Sequence, residues 1–107
     1  MATIDDFCKL QLRVGKITEV APHPDAQKLY CLRVDVGEEA PRRLVAGIRN
    51  SYSPEDLAGK SVIVIVNLEP KMIRGEQSQG MLLAAQSGDQ VRIITPDGEA
   101  EPGSVVS

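Results

Sequence analysis

Ser61-Val62-Ile63-Val64-Ile65-Val66-Asn67-Leu68-Glu69-Pro70-Lys71-Met72-Ile73-Arg74-Gly75-Glu76-Gln77-Ser78-Gln79-Gly80-Met81-Leu82-Leu83-Ala84-Ala85 is the stretch that decides the fold. The apolar run Val62 to Val66 is too short for a membrane span or a good helix and is rich in β-branching, so it specifies a strand buried on both faces. Asn67 to Gln79 is a polar connection carrying Lys71, Arg74, a proline and a glycine. A second apolar run, Met81 to Ala85, reads as another core strand. Two core strands thus hold out one basic, turn-forming loop.

Upstream, Leu10-Gln11-Leu12-Arg13-Val14 alternates apolar and polar, and Gly15 is expected to act as a glycine bulge that lets Ile17 and Val20 continue inward. Ala21 to Ala26 holds two prolines and reads as loop, with His23 as a solvated or capping group. Tyr30 to Val36 alternates again, placing Tyr30, Leu32, Val34 and Val36 inward and Cys31, Arg33 and Asp35 outward. Arg42 to Ala46 follows an acidic turn as the partner strand of a hairpin with arginines on or beside its outer surface. Ser53-Pro54-Glu55-Asp56-Leu57-Ala58-Gly59 carries a complete helix signature: a capping serine, proline at the first helical position, Asp56 at the capping-box position and a glycine exit. Thr3 to Phe7 reads as one capped helical turn, with Phe7 available to cover a core edge. Val91 to Ile94 and Val105-Val106 are extra strand-like pieces. They need an apolar surface to cover, either on their own barrel or on a second copy of the chain.

The 107 residues form one domain able to bury a core without staples. Cys8 and Cys31 are the only cysteines, there is no Cys-x-x-Cys, and His23 is the single histidine, so neither a disulfide framework nor a zinc site is expected. That pattern suits two reduced thiols in a cytoplasmic protein. No segment approaches the length of a spanning helix, and no basic region precedes an apolar leader, so no membrane association is expected. The net charge is −3 but segregated: residues 1 to 84 carry eleven cations and eleven anions, and the imbalance lies in the last 23 residues. Within 42 to 74 six cations face three acids. A basic face and an acidic end are compatible with this distribution.

Several motifs in order resemble one family. Asn67-Leu68-x-Pro70 followed by Arg74-Gly75-x-x-Ser78-Gln79-Gly80-Met81 resembles the signature of the EMAP II-like tRNA-binding domain. Leu12-Arg13-Val14-Gly15-Lys16-Ile17, His23-Pro24-Asp25-Ala26-x-Lys28-Leu29-Tyr30, Val34-Asp35-Val36-Gly37 and Pro41-Arg42-x-x-Val45-x-Gly47-Ile48 extend the likeness over roughly residues 4 to 97. One departure is Met72, where the family usually has a lysine; Lys71 stands one position earlier. The resemblance implies an all-β fold: a five-stranded OB-fold barrel with a short helix between strands three and four and extra C-terminal strands. The barrel would occupy about residues 8 to 86, with 1–7 and 87–107 at a homodimer interface.

By the same resemblance the chain is expected to bind tRNA by shape and phosphates, without a base sequence, and to assist an aminoacyl-tRNA synthetase of the methionyl type. Met1, with no linker before it, leans toward a separate chain. The expected tRNA contacts are Lys28, Arg33, Arg42, Arg49, Lys60, Asn67, Lys71, Arg74 and Ser78. With only Phe7, Tyr30 and Tyr52 as aromatics, base stacking is expected to be minor. No clustered nucleophile, base or metal is apparent, so no catalysis, cofactor or metal is expected. The alternatives are a homodimeric secretion chaperone of the CsaA type, holding peptides in an apolar groove, and a purely structural dimerisation domain.

Overall fold

In the computed structural model, which describes residues 1–107, Leu12–Pro22 forms one long strand, β1, on which the other strands are hung. Its first part, Leu12 to Lys16, pairs antiparallel with β4 (Ser61–Ile65), and its second part, Lys16 to Pro22, pairs with β2 (Tyr30–Asp35). β3 (Arg42–Ala46) lies beyond β2, and β7 (Met81–Leu82) lies beyond β4. The result is a nearly closed five-stranded antiparallel barrel in the order β3-β2-β1-β4-β7, the all-β OB-fold.

Strand β4 is buried on both faces, as its unbroken β-branched run requires. Val62 and Val64 enter the barrel core with Ile17, Leu32, Val34, Leu44 and Leu57. Ile63 and Ile65 point the other way and join Leu12 and Val14 in a second, smaller core, covered by Leu83, Ala100 and Val106. The C-terminal strand β10 (Val105–Val106) pairs with Leu12 and Arg13 of β1 and so packs on its own barrel.

The switch of β1 from the outer core to the inner one follows from strand alternation alone. No bulge occurs at Gly15, contrary to expectation; the register break lies between Ile17 and Glu19, where the Thr18 hydroxyl donates to the Arg33 carbonyl oxygen at 3.2 Å. Gly15 is needed for a different reason. A Cβ there would stand 2.6 Å from Cγ1 of Val34 and 3.2 Å from methyls of Val36 and Val64, so glycine lets β1 cross the core at close range.

The helix α2 (Pro54–Leu57) is as the sequence specifies, with Ser53 and Asp56 closing a reciprocal capping box. Its Leu57 is fully buried in the barrel core, which makes α2 the plug between β3 and β4. The first helix, α1 (Ile4–Cys8), has the expected Thr3 cap but buries none of its residues, and Phe7 is 42% exposed where a core-edge contact was expected.

Three further expectations are corrected. Ala21 and Pro22 belong to β1 and not to the loop. The run Met81 to Ala85 is not one strand: after the short β7 it turns into a separate hairpin, β8 (Ala84–Ser87) with β9 (Gln90–Ile93). That hairpin is also not merely an extra piece outside the barrel, because Ile93 is buried in the barrel core and Val91 packs against it, anchored by backbone N–H groups donating to Ser51 Oγ and the Tyr52 hydroxyl. The connection before β7 contains its own hairpin, β5 (Lys71–Ile73) with β6 (Glu76–Ser78).

Gly15→Ala is therefore expected to destabilise the fold by about 1–3 kcal/mol, the cost of overpacking against stiff valine side chains. Chemical denaturation should show it as a lower midpoint at unchanged slope.

Candidate nucleic-acid interface

Where β1 turns into β2, the loop of residues 23–29 is gripped by two other segments: the stretch after β3 and the β5–β6 hairpin. His23 is the joint. Although it lies between two prolines in a loop, it is 2% exposed, so of the two readings from sequence, a solvated or a capping group, the solvated one is corrected. Its Nδ1 accepts the Asp25 backbone N–H at 3.0 Å, so the ring hydrogen sits on Nε2, which donates to the Ile73 carbonyl oxygen at 3.1 Å.

Two arginines close on the same loop from the neighbouring segments. Arg74 Nη2 donates to the Asp25 carbonyl oxygen at 3.0 Å, and Arg49 Nη1 donates to that of Ala26 at 3.2 Å. The Arg49 backbone N–H holds the Lys28 carbonyl, and its guanidinium carbon lies 5.9 Å from the Tyr30 ring centre. Each guanidinium thus spends one donor of five on positioning. Arg49 and Arg74 border adjoining depressions that share Asp25, Ala26 and Gln27, and exposed Lys28 lines the second with Arg74. Exposed Lys71 stands on β5 of the same hairpin as Arg74. Lys71 and Met72 are adjacent strand residues with opposite side-chain directions, so the lysine offset from the family pattern points to the other face of the hairpin.

Arg74 is also conformationally unusual. It and Gly75 form the two-residue turn between β5 and β6, with φ of 54° and 89°, the positive pair of a type I′ hairpin. Asparagine, aspartate or glycine suits the first of these positions; arginine there costs roughly 1–2 kcal/mol. The Arg74 side chain is exposed at the tip of the hairpin.

The remaining expected contacts are placed elsewhere, and three are fully engaged within the chain. Arg42 makes a bidentate pair with Glu38 at 2.8 and 2.9 Å, and its Nη1 donates to the carbonyls of Val66 and Gln79 at 2.6 and 3.0 Å. Asn67 accepts the Gln11 N–H and donates to the Lys9 carbonyl, both at 2.7 Å. Ser78 is buried, accepting the Val45 N–H and donating to the Gly80 carbonyl, both at 3.0 Å. These three are brackets that hold the loop after β4 to its neighbours. Arg33 pairs with Glu19 at 3.3 Å, and Lys60 lies beside α2 with its ammonium 6.0 Å from the Tyr52 ring centre.

Arg43, absent from the expected set, is bonded to Glu76 across the barrel seam. The outer face of β2 and β3 is therefore largely neutralised by ion pairs, whereas Lys28, Arg49 and Arg74 around the 23–29 loop, and Lys71 on β5, have no acidic partner; Arg13 and Lys16 on β1, Lys60 beside α2 and Arg92 on β9 also have none. Cys31 feels both members of the Arg43–Glu76 pair: its thiol is pushed up by burial and by the glutamate charge, with the arginine opposing. The carboxyl of Glu38 is held below its usual range by the hydrogen bond from Arg42, against a smaller effect of burial.

An OB barrel with a basic loop cluster at one end is the architecture of a polyanion-binding module. Residues 12–105 match the family model described as "Putative tRNA binding domain", and the chain belongs to that family. It is 55% identical over 102 residues to a methionine–tRNA ligase of Pyrococcus horikoshii, covering 95% of this chain but only 14% of that protein's length. Among solved structures, a MetRS related protein from Pyrococcus horikoshii superposes with a TM-score of 0.91 at 38% identity, covering 100% of this chain and 98% of that one. The CsaA chaperone protein from Picrophilus torridus superposes with a TM-score of 0.92, also at 38% identity, with both chains fully covered.

Two outcomes are expected. Because the Glu38 carboxyl is depressed in the folded state, the stability its pair with Arg42 contributes is present at neutral pH and lost as the pH falls below the usual glutamate range. Glu38→Gln should therefore melt below the parent at pH 7, with the difference shrinking as the pH falls below the usual glutamate range. Arg74→Asn should relieve the turn, leaving the melting temperature unchanged or raised, while weakening tRNA binding about tenfold and lowering the salt slope by about 1.

Proposed function

We propose that this chain is a tRNA-binding module that takes the phosphate backbone of a folded RNA on the loop cluster of Lys28, Arg49, Lys71 and Arg74. The observation that carries this reading is the convergence of Arg49 and Arg74 on the carbonyls of one loop, with donors to spare, in a member of a tRNA-binding family. The cluster offers cations without stacking aromatics, which favours contact with a curved sugar-phosphate surface over an extended single strand. Arg33, Arg42, Lys60, Asn67 and Ser78 drop out of the direct contacts on this reading: all but Lys60 are committed to bonds within the chain, and Lys60 lies outside the cluster.

The module acts in the cytoplasm as a homodimer and raises capture of tRNA for an aminoacyl-tRNA synthetase of the methionyl type. Support for the dimer comes from the surface: α1 buries nothing, and Ile4 and Val105 are 73% and 71% exposed, with Phe7 and Leu10 also exposed. Two copies would let two weak sites share one ligand. No step of chemistry is assigned to the chain.

One observation favours a second reading. The depression lined by Val45, Ala46, Ile48, Met81, Leu82 and Val91 is mainly apolar, and a chaperone named CsaA shares the fold closely. Peptide holding would use that groove and would be indifferent to the arginines.

Four phosphate contacts per barrel predict a salt slope of about −3.6, so tRNA affinity should fall roughly a hundredfold between 50 and 200 mM salt. A filter assay with bulk tRNA, paired with sedimentation, measures both the slope and the oligomeric state. Salt-insensitive binding, or suppression of aggregation of an unfolded client with no tRNA bound, would transfer the conclusion to the chaperone reading.

A further inference from the structure

We infer that His23 is a positioning residue for the RNA site: its ring is the strut that sets the β5–β6 hairpin, and with it Arg74, at a fixed height over the 23–29 loop. The inference rests on the tRNA-binding reading above and assigns a role to a residue that makes no contact with the ligand.

The geometry separates two jobs within one ring. Nδ1 serves the loop itself, closing a tight turn onto the Asp25 N–H two residues on. Nε2 reaches 50 residues further along the chain, to the carbonyl of Ile73, the residue immediately before Arg74. Arg74 returns the connection by donating to the carbonyl of Asp25, the residue whose N–H His23 already holds. Loop and hairpin tip are therefore tied by two antiparallel bonds: His23 to Ile73 and Arg74 to Asp25.

Burial gives the first of these bonds its leverage. The His23 ring is 2% exposed, so water cannot replace the lost partner when the strut is removed. Prolines on both sides restrict the loop backbone, so the ring cannot swing away without moving the loop. The β6 side of the hairpin is held to β3 by the Ser78 and Gln79 contacts and by the Arg43–Glu76 pair, so the bond from His23 to Ile73 is the tie on the β5 side, next to Arg74. A guanidinium that must meet a phosphate within hydrogen-bond range gains from such pre-organisation, because the ordering is done before the RNA arrives.

Two amide variants dissect the ring. His23→Asn keeps an acceptor near the Nδ1 position and can still close the Asx turn on Asp25, but it is too short to reach Ile73. His23→Gln places an amide N–H near the Nε2 position and can keep the long bond while giving up the local one. Bulk tRNA binding at 100 mM salt should be about tenfold weaker for His23→Asn and within threefold of the parent for His23→Gln. The cost should disappear in the Arg74→Asn background, since a strut has nothing to present once the guanidinium is gone.

Equal losses in the two amide variants, or a loss from His23→Asn that persists undiminished beside Arg74→Asn, would overturn the proposal, because general loosening of the fold predicts additivity. Melting temperatures taken alongside show that each variant is folded at the assay temperature. Should His23→Asn not fold, the comparison of His23→Gln with His23→Leu, which fills the space without any hydrogen bond, decides the matter: equal binding refutes the strut. Failure of the unmodified chain to bind tRNA at all would instead refute the tRNA reading, and is seen in the same titration.

Discussion

The structure depends on closing a small barrel whose ladder does not reach all the way round. Between β3 and the strand that should complete the circle, backbone pairing gives way to side chains: Ser78 takes the Val45 N–H, the Gln79 side chain takes that of Arg43, and the Gln79 N–H reaches the Arg43 carbonyl. Arg42 spans the same seam, collecting carbonyls from Val66 and Gln79 while Glu38 holds its other edge. Buried backbone groups that lack partners are costly, so the residues from Asn67 to Gly80 cannot be an unconstrained loop. They serve as the barrel's fastening, and the loop cluster proposed to take RNA is built on the part of that fastening that projects beyond it.

This arrangement explains how an acidic protein can present a basic site. The net charge of −3 says little, because most arginines of the central segment are matched with acids or carbonyls inside the chain. What attracts a polyanion is the local group whose partners are only backbone carbonyls, since a carbonyl orients a guanidinium without cancelling its charge. Arg49 and Arg74 have that kind of support.

Much of the fold was legible in the sequence because its signals are local. The β-branched run at Val62, the perfect alternation from Tyr30 to Val36 and the Ser53 to Asp56 capping box each fix a conformation within a few residues. The reading failed where partners are distant. Nothing near His23 foretells a carbonyl at Ile73, nothing near Asn67 foretells Lys9 and Gln11, and the apolar run after Gly80 gives no sign that it divides between two strands with different neighbours. Cations were visible as residue types, but which of them had a spare donor depended on acids such as Glu19 and Glu76 lying opposite in the folded sheet. The positive φ at Arg74 could have been suspected from Arg-Gly between two short strand-like triplets, the spacing of a two-residue hairpin turn.

The twofold burial of β4 has a consequence for how the chain is made. Its inner valines can be enclosed once the barrel segments have met, but the cover that Leu83 gives Ile63 and Ile65 is completed only when Ala100 and Val106 dock beside Leu12 and Val14. A chain emerging from the ribosome must therefore carry a sticky isoleucine stripe partly in the open until residue 106 is clear of the exit tunnel.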